Sequence, residues 1–153
     1  MYLDCSRQGR CRDRRKIILK NNRDICGVTQ KAFVFNDEGK FLVLKRTAEA
    51  PSKPNKWDLP GGSVDFGENP YETIEREIRE EAGIEVEDLE PFDVWGEVDQ
   101  DNEFWTTIAY RAKVKSGEVK LSYEHDDCKW VTSEGFAKFC ESKRFMKFLE
   151  KLK

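Results

Sequence analysis

Three glutamates in one short stretch are the residues whose type and spacing point most clearly to chemistry. Glu77, Glu80 and Glu81 stand at i, i+3 and i+4 within the run from Pro70 to Ala82. At about 100° per residue, an α-helix would turn their carboxylates into one arc about 100° wide. Like charges so placed destabilise a helix by roughly a few tenths of a kcal/mol per pair. A hard divalent cation relieves them. Mg²⁺ or Mn²⁺ takes oxygen ligands, and Mg²⁺ is commonly held by a few carboxylates while water and substrate phosphates complete its octahedron. The pattern points to a site that handles phosphate. A solvated acidic helix has the same composition, since Glu is a good helix former, so the surrounding elements must decide between the two.

The helix itself is well delimited. Asn69 is placed to cap it, Pro70 suits its first position, Glu72 lies where it would close a capping box, and Gly83 ends it in a left-handed turn. Tyr71, Ile74, Ile78 and Ala82 form an apolar arc beside the acidic one, while Glu72, Glu75 and Arg79 face away, so the acidic face lies at the edge of a core. Upstream, Val28 to Arg46 reads as a largely buried hairpin around Asn36-Asp37-Glu38-Gly39, followed by a Pro, Lys and Asn-rich loop over Thr47 to Lys56 and by Trp57-Asp58-Leu59-Pro60-Gly61-Gly62, whose paired glycines announce unusual backbone geometry. Downstream, Phe92 to Val98, Phe104 to Val114, Val119 to Tyr123 and Lys129 to Thr132 read as strands. Phe136, Phe139, Cys140, Phe145, Phe148 and Leu149 recur at helical spacing through a tail over Ser133 to Leu152.

Gly62, Glu68, Arg76, Glu77, Ile78, Glu80, Glu81, Gly83 and Ile84 occupy every fixed position of the pattern G-x5-E-x7-R-E-U-x-E-E-x-G-U, with U aliphatic. By this match the chain resembles the MutT-type Nudix hydrolases, and the loop-helix-loop context makes the match specific. The resemblance covers about Val28 to Leu152. It implies an α/β fold of the α+β kind, an α/β/α sandwich around a mixed β-sheet, and hydrolysis of a nucleoside triphosphate or nucleoside diphosphate derivative with Mg²⁺ or Mn²⁺. It also implies roles: Glu77, Glu80 and Glu81 as metal ligands, with Glu77 alternatively the base, Glu68 and the Gly62 carbonyl as lesser ligands, and Arg76 orienting a glutamate. Glu124, on a later loop beside His125, Asp126 and Asp127, is the expected assisting base or metal ligand. His125 itself is expected to have no catalytic role.

Arg46, with Lys45, ends a strand near the expected cleft and is assigned to phosphate oxygens. Among Trp57, Trp95 and Trp105, which offer flat faces to a base, Trp57 is assigned to the substrate site. The group beyond the diphosphate stays open: nucleotide sugars such as ADP-ribose and capped RNA are alternatives. So is a non-catalytic binding module, although such a module would be expected to have lost a glutamate.

The composition, 38% hydrophobic and 37% charged over 153 residues, fits one domain. We expect a basic extension over residues 1–24 and a single domain over 25–153. Seven cations crowd the first twenty residues, against a net charge of −3; that arm offers a surface to nucleic acid, but a solvated tail is favoured. Cys5, Cys11, Cys26, Cys128 and Cys140 are odd in number and scattered, which fits reduced thiols rather than a disulfide framework, and the Cys5–Cys11 spacing is too wide for a usual zinc pair. No apolar run reaches the ~20 residues of a membrane span, and the short Ile17-Ile18-Leu19 block falls below a signal peptide's apolar region. A cytoplasmic protein is the expectation, with an apolar edge strand as the place where a homodimer would pair.

Overall fold

The computed structural model describes residues 17–18 and 25–152. The expectations for the basic arm and for Cys5 and Cys11 lie outside the described residues. Among the described residues seven strands form one mixed sheet: β1 (Ile17–Ile18), β2 (Ile25–Phe35), β3 (Phe41–Arg46), β4 (Trp57–Asp58), β5 (Glu85–Val98), β6 (Phe104–Ser116) and β7 (His125–Val131). The order is β4-β3-β2-β6-β5, with β1 on β2 and β7 on β3. β2 and β6 run parallel, and every other pairing is antiparallel. Helix α1 (Pro70–Ala82) covers one face; α2 (Ser133–Ala137) and α3 (Lys143–Lys151) cover the other.

Two covered faces explain the apolar runs in β2 and β3. Ala32, Val34, Leu42 and Leu44 pack toward Ile74, Ile78 and Ala82 of α1. Their neighbours Phe33, Phe41 and Val43 pack toward Phe136, Phe145 and Phe148. Strands buried on both sides lose the polar half of the usual alternation.

The feature that matters for function is a wedge in the sheet. β2 and β3 leave their turn as a hairpin but share only the Phe35 and Phe41 pair. They then splay, and the chain from Trp57 to Val64 enters the gap. β4 pairs with the end of β3, Leu44 opposite Asp58. Pro60 and Gly62 then accept hydrogen bonds from the N–H groups of Ala32 (2.9 Å) and Gln30 (2.8 Å), and Val64 N–H donates to Val28 O (3.0 Å). Gly61 has φ +136°, and a Cβ there would lie 2.2 Å from the Gln30 carbonyl oxygen, so only glycine can make this crossing.

Helix α1 has the predicted limits, with Gly83 at φ 69°. Its cap differs in detail: Asn69 Oδ1 accepts from Tyr71 N–H at 2.9 Å, and Glu72 returns no bond among the described residues. Three other expectations are corrected. Val119 to Tyr123 is no strand, because the N–H groups of Lys120 and Ser122 donate to the Ala82 and Glu81 carbonyls at 2.9 and 3.1 Å, satisfying acceptors that α1 leaves free at its end. The tail is two helices rather than one, restarted by Ser142, whose Oγ accepts from Phe145 N–H. β5 begins at Glu85 rather than near Phe92; as an edge strand it tolerates Pro91, three irregularities and charges matched across to Arg111 and Lys113.

Candidate active-site cleft

The splay of β2 from β3 opens a cleft of about 1080 Å³, and two carboxylates of α1 reach it through the glycine wedge. Glu81 is only 8% exposed, and its Oε2 accepts from Gly61 N–H at 2.9 Å. Glu77, one turn earlier, lies against Gly62, where a Cβ would stand 2.7 Å from its carboxylate carbon. Glycine is therefore needed twice, at Gly61 for conformation and at Gly62 for space.

Both carboxyls are hard to ionise. Burial pushes Glu81 up to about 7, with the charges of Asp58 and Glu77 adding to the effect. Lys31 opposes this, but its ammonium is already held by Asp58 (2.8 Å) and the Leu59 carbonyl (3.0 Å). Glu77 is likewise raised by burial and by Glu80 and Glu124, against the pull of Arg76. Asp58 shows the opposite balance: burial raises it, yet Lys31 holds the carboxyl below its ordinary 3.8.

Arg76 draws the remaining glutamates together. Its guanidinium lies 3.0 Å from Glu77, 3.1 Å from Glu80 and 3.5 Å from Glu68. Glu68 also accepts from Asp65 N–H and the Thr73 hydroxyl, and Asp65 N–H is the main reason its carboxyl sits low. Glu80 is more than half exposed and stands at the rim, so the three glutamates predicted to act alike occupy three environments. Helix periodicity put them in one arc but could not show that the wedge buries Glu81 and leaves Glu80 in water.

Arg46 and Glu124 line the same cleft and also a smaller hollow of about 320 Å³ with Thr47, Pro51 and the exposed Tyr123. Arg46 is steadied by Ser52 O at 2.8 Å, and Thr47 N–H donates to Glu124 O at 3.0 Å. Trp57 lies elsewhere: it packs on Phe139 and carries the Lys129 ammonium 4.5 Å above its ring. Trp105 is the indole that lines the cleft. His125 opens β7 rather than sitting in a loop; it is buried, its Nδ1 has no partner, and burial then Arg46 lower its pKa.

The donor chemistry suits a hard divalent cation. Among the described residues Glu81 lacks a cation of its own and Glu77 shares Arg76 with Glu80 and Glu68, so both carboxyls stay raised, and a dication would favour their ionised forms. The Gly62 carbonyl is already engaged by Gln30 N–H (2.8 Å) and Thr29 Oγ1 (3.3 Å), so it is a poorer ligand than the sequence suggested. Gly61 O, 3.5 Å from Lys31 Nζ, is freer. Among the described residues no three acidic, His or Cys side chains converge as a ready-made cage. An ion held by one or two carboxylates and completed by water and phosphate needs no such cage.

Lys31, Asp58, Glu97 and Arg144 line this cleft without having been singled out from the sequence. The charge of Lys31 next to the apolar run Ala32-Phe33-Val34-Phe35 was the one available signal for it, since buried charges are retained where they are paired. Arg144 gave none.

Comparison with known proteins agrees with the architecture. Residues 27–152 match the model of the NUDIX domain. The chain is 34% identical over 95 residues to a putative 8-oxo-dGTP diphosphatase 2 of Mycobacterium tuberculosis, covering 62% of this chain and 67% of the relative. It is 35% identical over 115 residues to an asymmetrical bis(5'-nucleosyl)-tetraphosphatase of Mus musculus, covering 72% and 74%. Among solved structures it superposes on the MutT protein of Methanosarcina mazei Go1 with TM-score 0.70 at 31% identity, covering 85% of this chain and 94% of that one. It also superposes on a MutT NUDIX hydrolase of Burkholderia pseudomallei with TM-score 0.72 at 29% identity, covering 84% and 98%. With the mixed sheet, the sandwiching helices and the glutamate helix all in place, the chain belongs to the NUDIX domain family.

Proposed function

We propose that the protein is a pyrophosphohydrolase that cleaves the diphosphate linkage of a nucleoside triphosphate or nucleoside diphosphate derivative by attack of water on phosphorus. The observation that carries this reading is the seating of the Glu77 and Glu81 carboxylates on the Gly61–Gly62 wedge at the cleft floor. The relatives support it in kind, since their names describe a nucleoside triphosphate and a dinucleoside polyphosphate as substrates.

A divalent cation, Mg²⁺ or Mn²⁺, held by Glu77 and Glu81 with Glu80 and Glu68 close by, would neutralise charge on the diphosphate and acidify a water when bound. Arg46, which lines the same cleft, offers its guanidinium to phosphate oxygens. Glu124, near enough to Glu77 to raise its pKa, is the group to which we assign the water's proton. Arg76 acts as a positioning residue: by holding Glu77, Glu80 and Glu68 it fixes where Glu77 points. Lys31 and Asp58 keep the wedge in place, through the Leu59 carbonyl and Leu59 N–H respectively.

Release of phosphate or pyrophosphate from a panel of NTPs, dNTPs, nucleotide sugars, dinucleoside polyphosphates and capped RNA, with Mg²⁺, Mn²⁺ or chelator, tests the reading. It expects metal-dependent hydrolysis that Glu77→Gln abolishes and Glu124→Gln slows with a changed pH profile. Hydrolysis that is indifferent to chelator and to Glu77→Gln would sink it.

A further inference from the structure

The cleft continues well past the glutamates. The sheet face that buries Phe33 and Ala109 beneath α3 turns polar toward the strand ends. There Thr29 lies beside Thr107 and Gly27 beside Trp105 in parallel register, and Glu97 pairs with Trp105 from β5. The hydrolytic scheme uses none of these side chains, yet Thr29, Trp105, Glu97 and Arg144 line the same cleft.

Their arrangement is rigid. A Cβ on Gly27 would lie 2.3 Å from the Trp105 ring, so the indole rests directly on bare backbone. Arg144 enters from the first turn of α3 and is 7% exposed. Its Nη1 donates to Thr107 Oγ1 at 2.9 Å and to Glu97 Oε1 at 3.3 Å, while its Nε–H is buried without an acceptor. Glu97 also accepts from Trp95 Nε1 at 3.1 Å, which holds the carboxylate in place, and its side chain keeps 44% of its surface exposed. A carboxylate accepts at about four lone-pair sites, so both oxygens retain capacity for a ligand.

We propose that this end of the cleft seats the nucleobase, with Trp105 as the stacking face and the Glu97–Arg144 pair selecting a guanine-type edge, two adjacent N–H groups beside a carbonyl. Guanine presents its ring N1–H and exocyclic amino group to the acceptor-only carboxylate, and its O6 to the guanidinium. Hypoxanthine lacks the amino group and keeps the other two contacts. Adenine offers one amino group beside a bare ring nitrogen and no carbonyl. Each lost charge-assisted hydrogen bond corresponds to roughly a tenfold to hundredfold loss of binding. This assignment rests on the nucleotide-hydrolase reading and names the base that reading leaves open.

Tryptophan fluorescence titrations with GMP, IMP and AMP, on the wild type, Glu97→Gln and Gly27→Ala, test it. The wild type is expected to bind GMP about tenfold more tightly than IMP, and AMP more weakly again. Glu97→Gln should bring GMP and IMP to equal affinity, since with its oxygen drawn to Arg144 the amide presents a donor to the amino group, while the melting midpoint falls with the loss of the Arg144 ion pair. Gly27→Ala displaces the indole and should weaken all three nucleotides together, leaving their ratios intact. Equal binding of the three by the wild type, or a GMP-to-IMP ratio that survives Glu97→Gln, overturns the proposal. Metal-dependent hydrolysis of NTPs with no base preference would remove the base seat and leave the hydrolase standing. The GMP preference without any hydrolysis would do the reverse.

Discussion

Replacing Glu81 by Gln should make the metal-free protein more stable at alkaline pH, and the size of the gain follows from its burial. Burial raises this carboxyl from its ordinary 4.5 to about 7. The folded state then holds the proton more tightly than the unfolded state does. The group's favourable contribution is fully present below about 4.5 and is lost as pH rises through about 7. At about 1.4 kcal/mol per pKa unit the full loss is about 3 kcal/mol, most of which falls between about pH 5 and pH 8.5. The variant keeps an oxygen for Gly61 N–H and has nothing to titrate. Urea unfolding in chelator at these two pH values should show the wild type losing about 2 to 3 kcal/mol relative to Glu81→Gln. Adding Mg²⁺ should shrink that difference, because the ion binds the ionised carboxylate. Parallel curves for the two proteins would refute the claim that Glu81 sits in the cleft as a carboxylate short of positive charge.

The two glycines of the wedge should fail differently: Gly62→Ala displaces the Glu77 carboxylate and is expected to fold while losing roughly tenfold to a hundredfold in kcat/KM, whereas Gly61→Ala meets backbone at a positive φ and should lower the melting midpoint sharply. Lys31→Met leaves Asp58 buried without its partner and should cost about 3 to 5 kcal/mol in denaturant unfolding, most of it recovered in Lys31→Met/Asp58→Asn. Trp57→Ala should reduce stability while leaving KM for the nucleotide unchanged, since its contacts are Phe139 and Lys129 rather than the cleft; a raised KM would return Trp57 to the substrate site.

The helix and its glycine stop were legible because they are local: a cap, a proline, a period and a terminator lie within fifteen residues of one another. The hairpin was legible for the same reason, but its splay was not, because the pairing of Gln30 and Ala32 with the wedge joins segments some thirty residues apart. The different fates of Glu77, Glu80 and Glu81 follow from that non-local event, since a helical wheel gives direction without saying what lies there. Val119 to Tyr123 read as a strand by alternation, and its N–H groups turned instead to the end of α1. Arg144 and Glu97 stayed silent because each looks like an ordinary charged residue until α3 is laid over β5 and β6.

The most direct test is hydrolysis of a nucleoside triphosphate by the wild type and Glu77→Gln, with Mg²⁺ and with chelator. The account predicts turnover by the wild type that requires the ion and disappears in the variant while nucleotide binding persists. Equal turnover by the two proteins, or turnover that chelator does not affect, would contradict it.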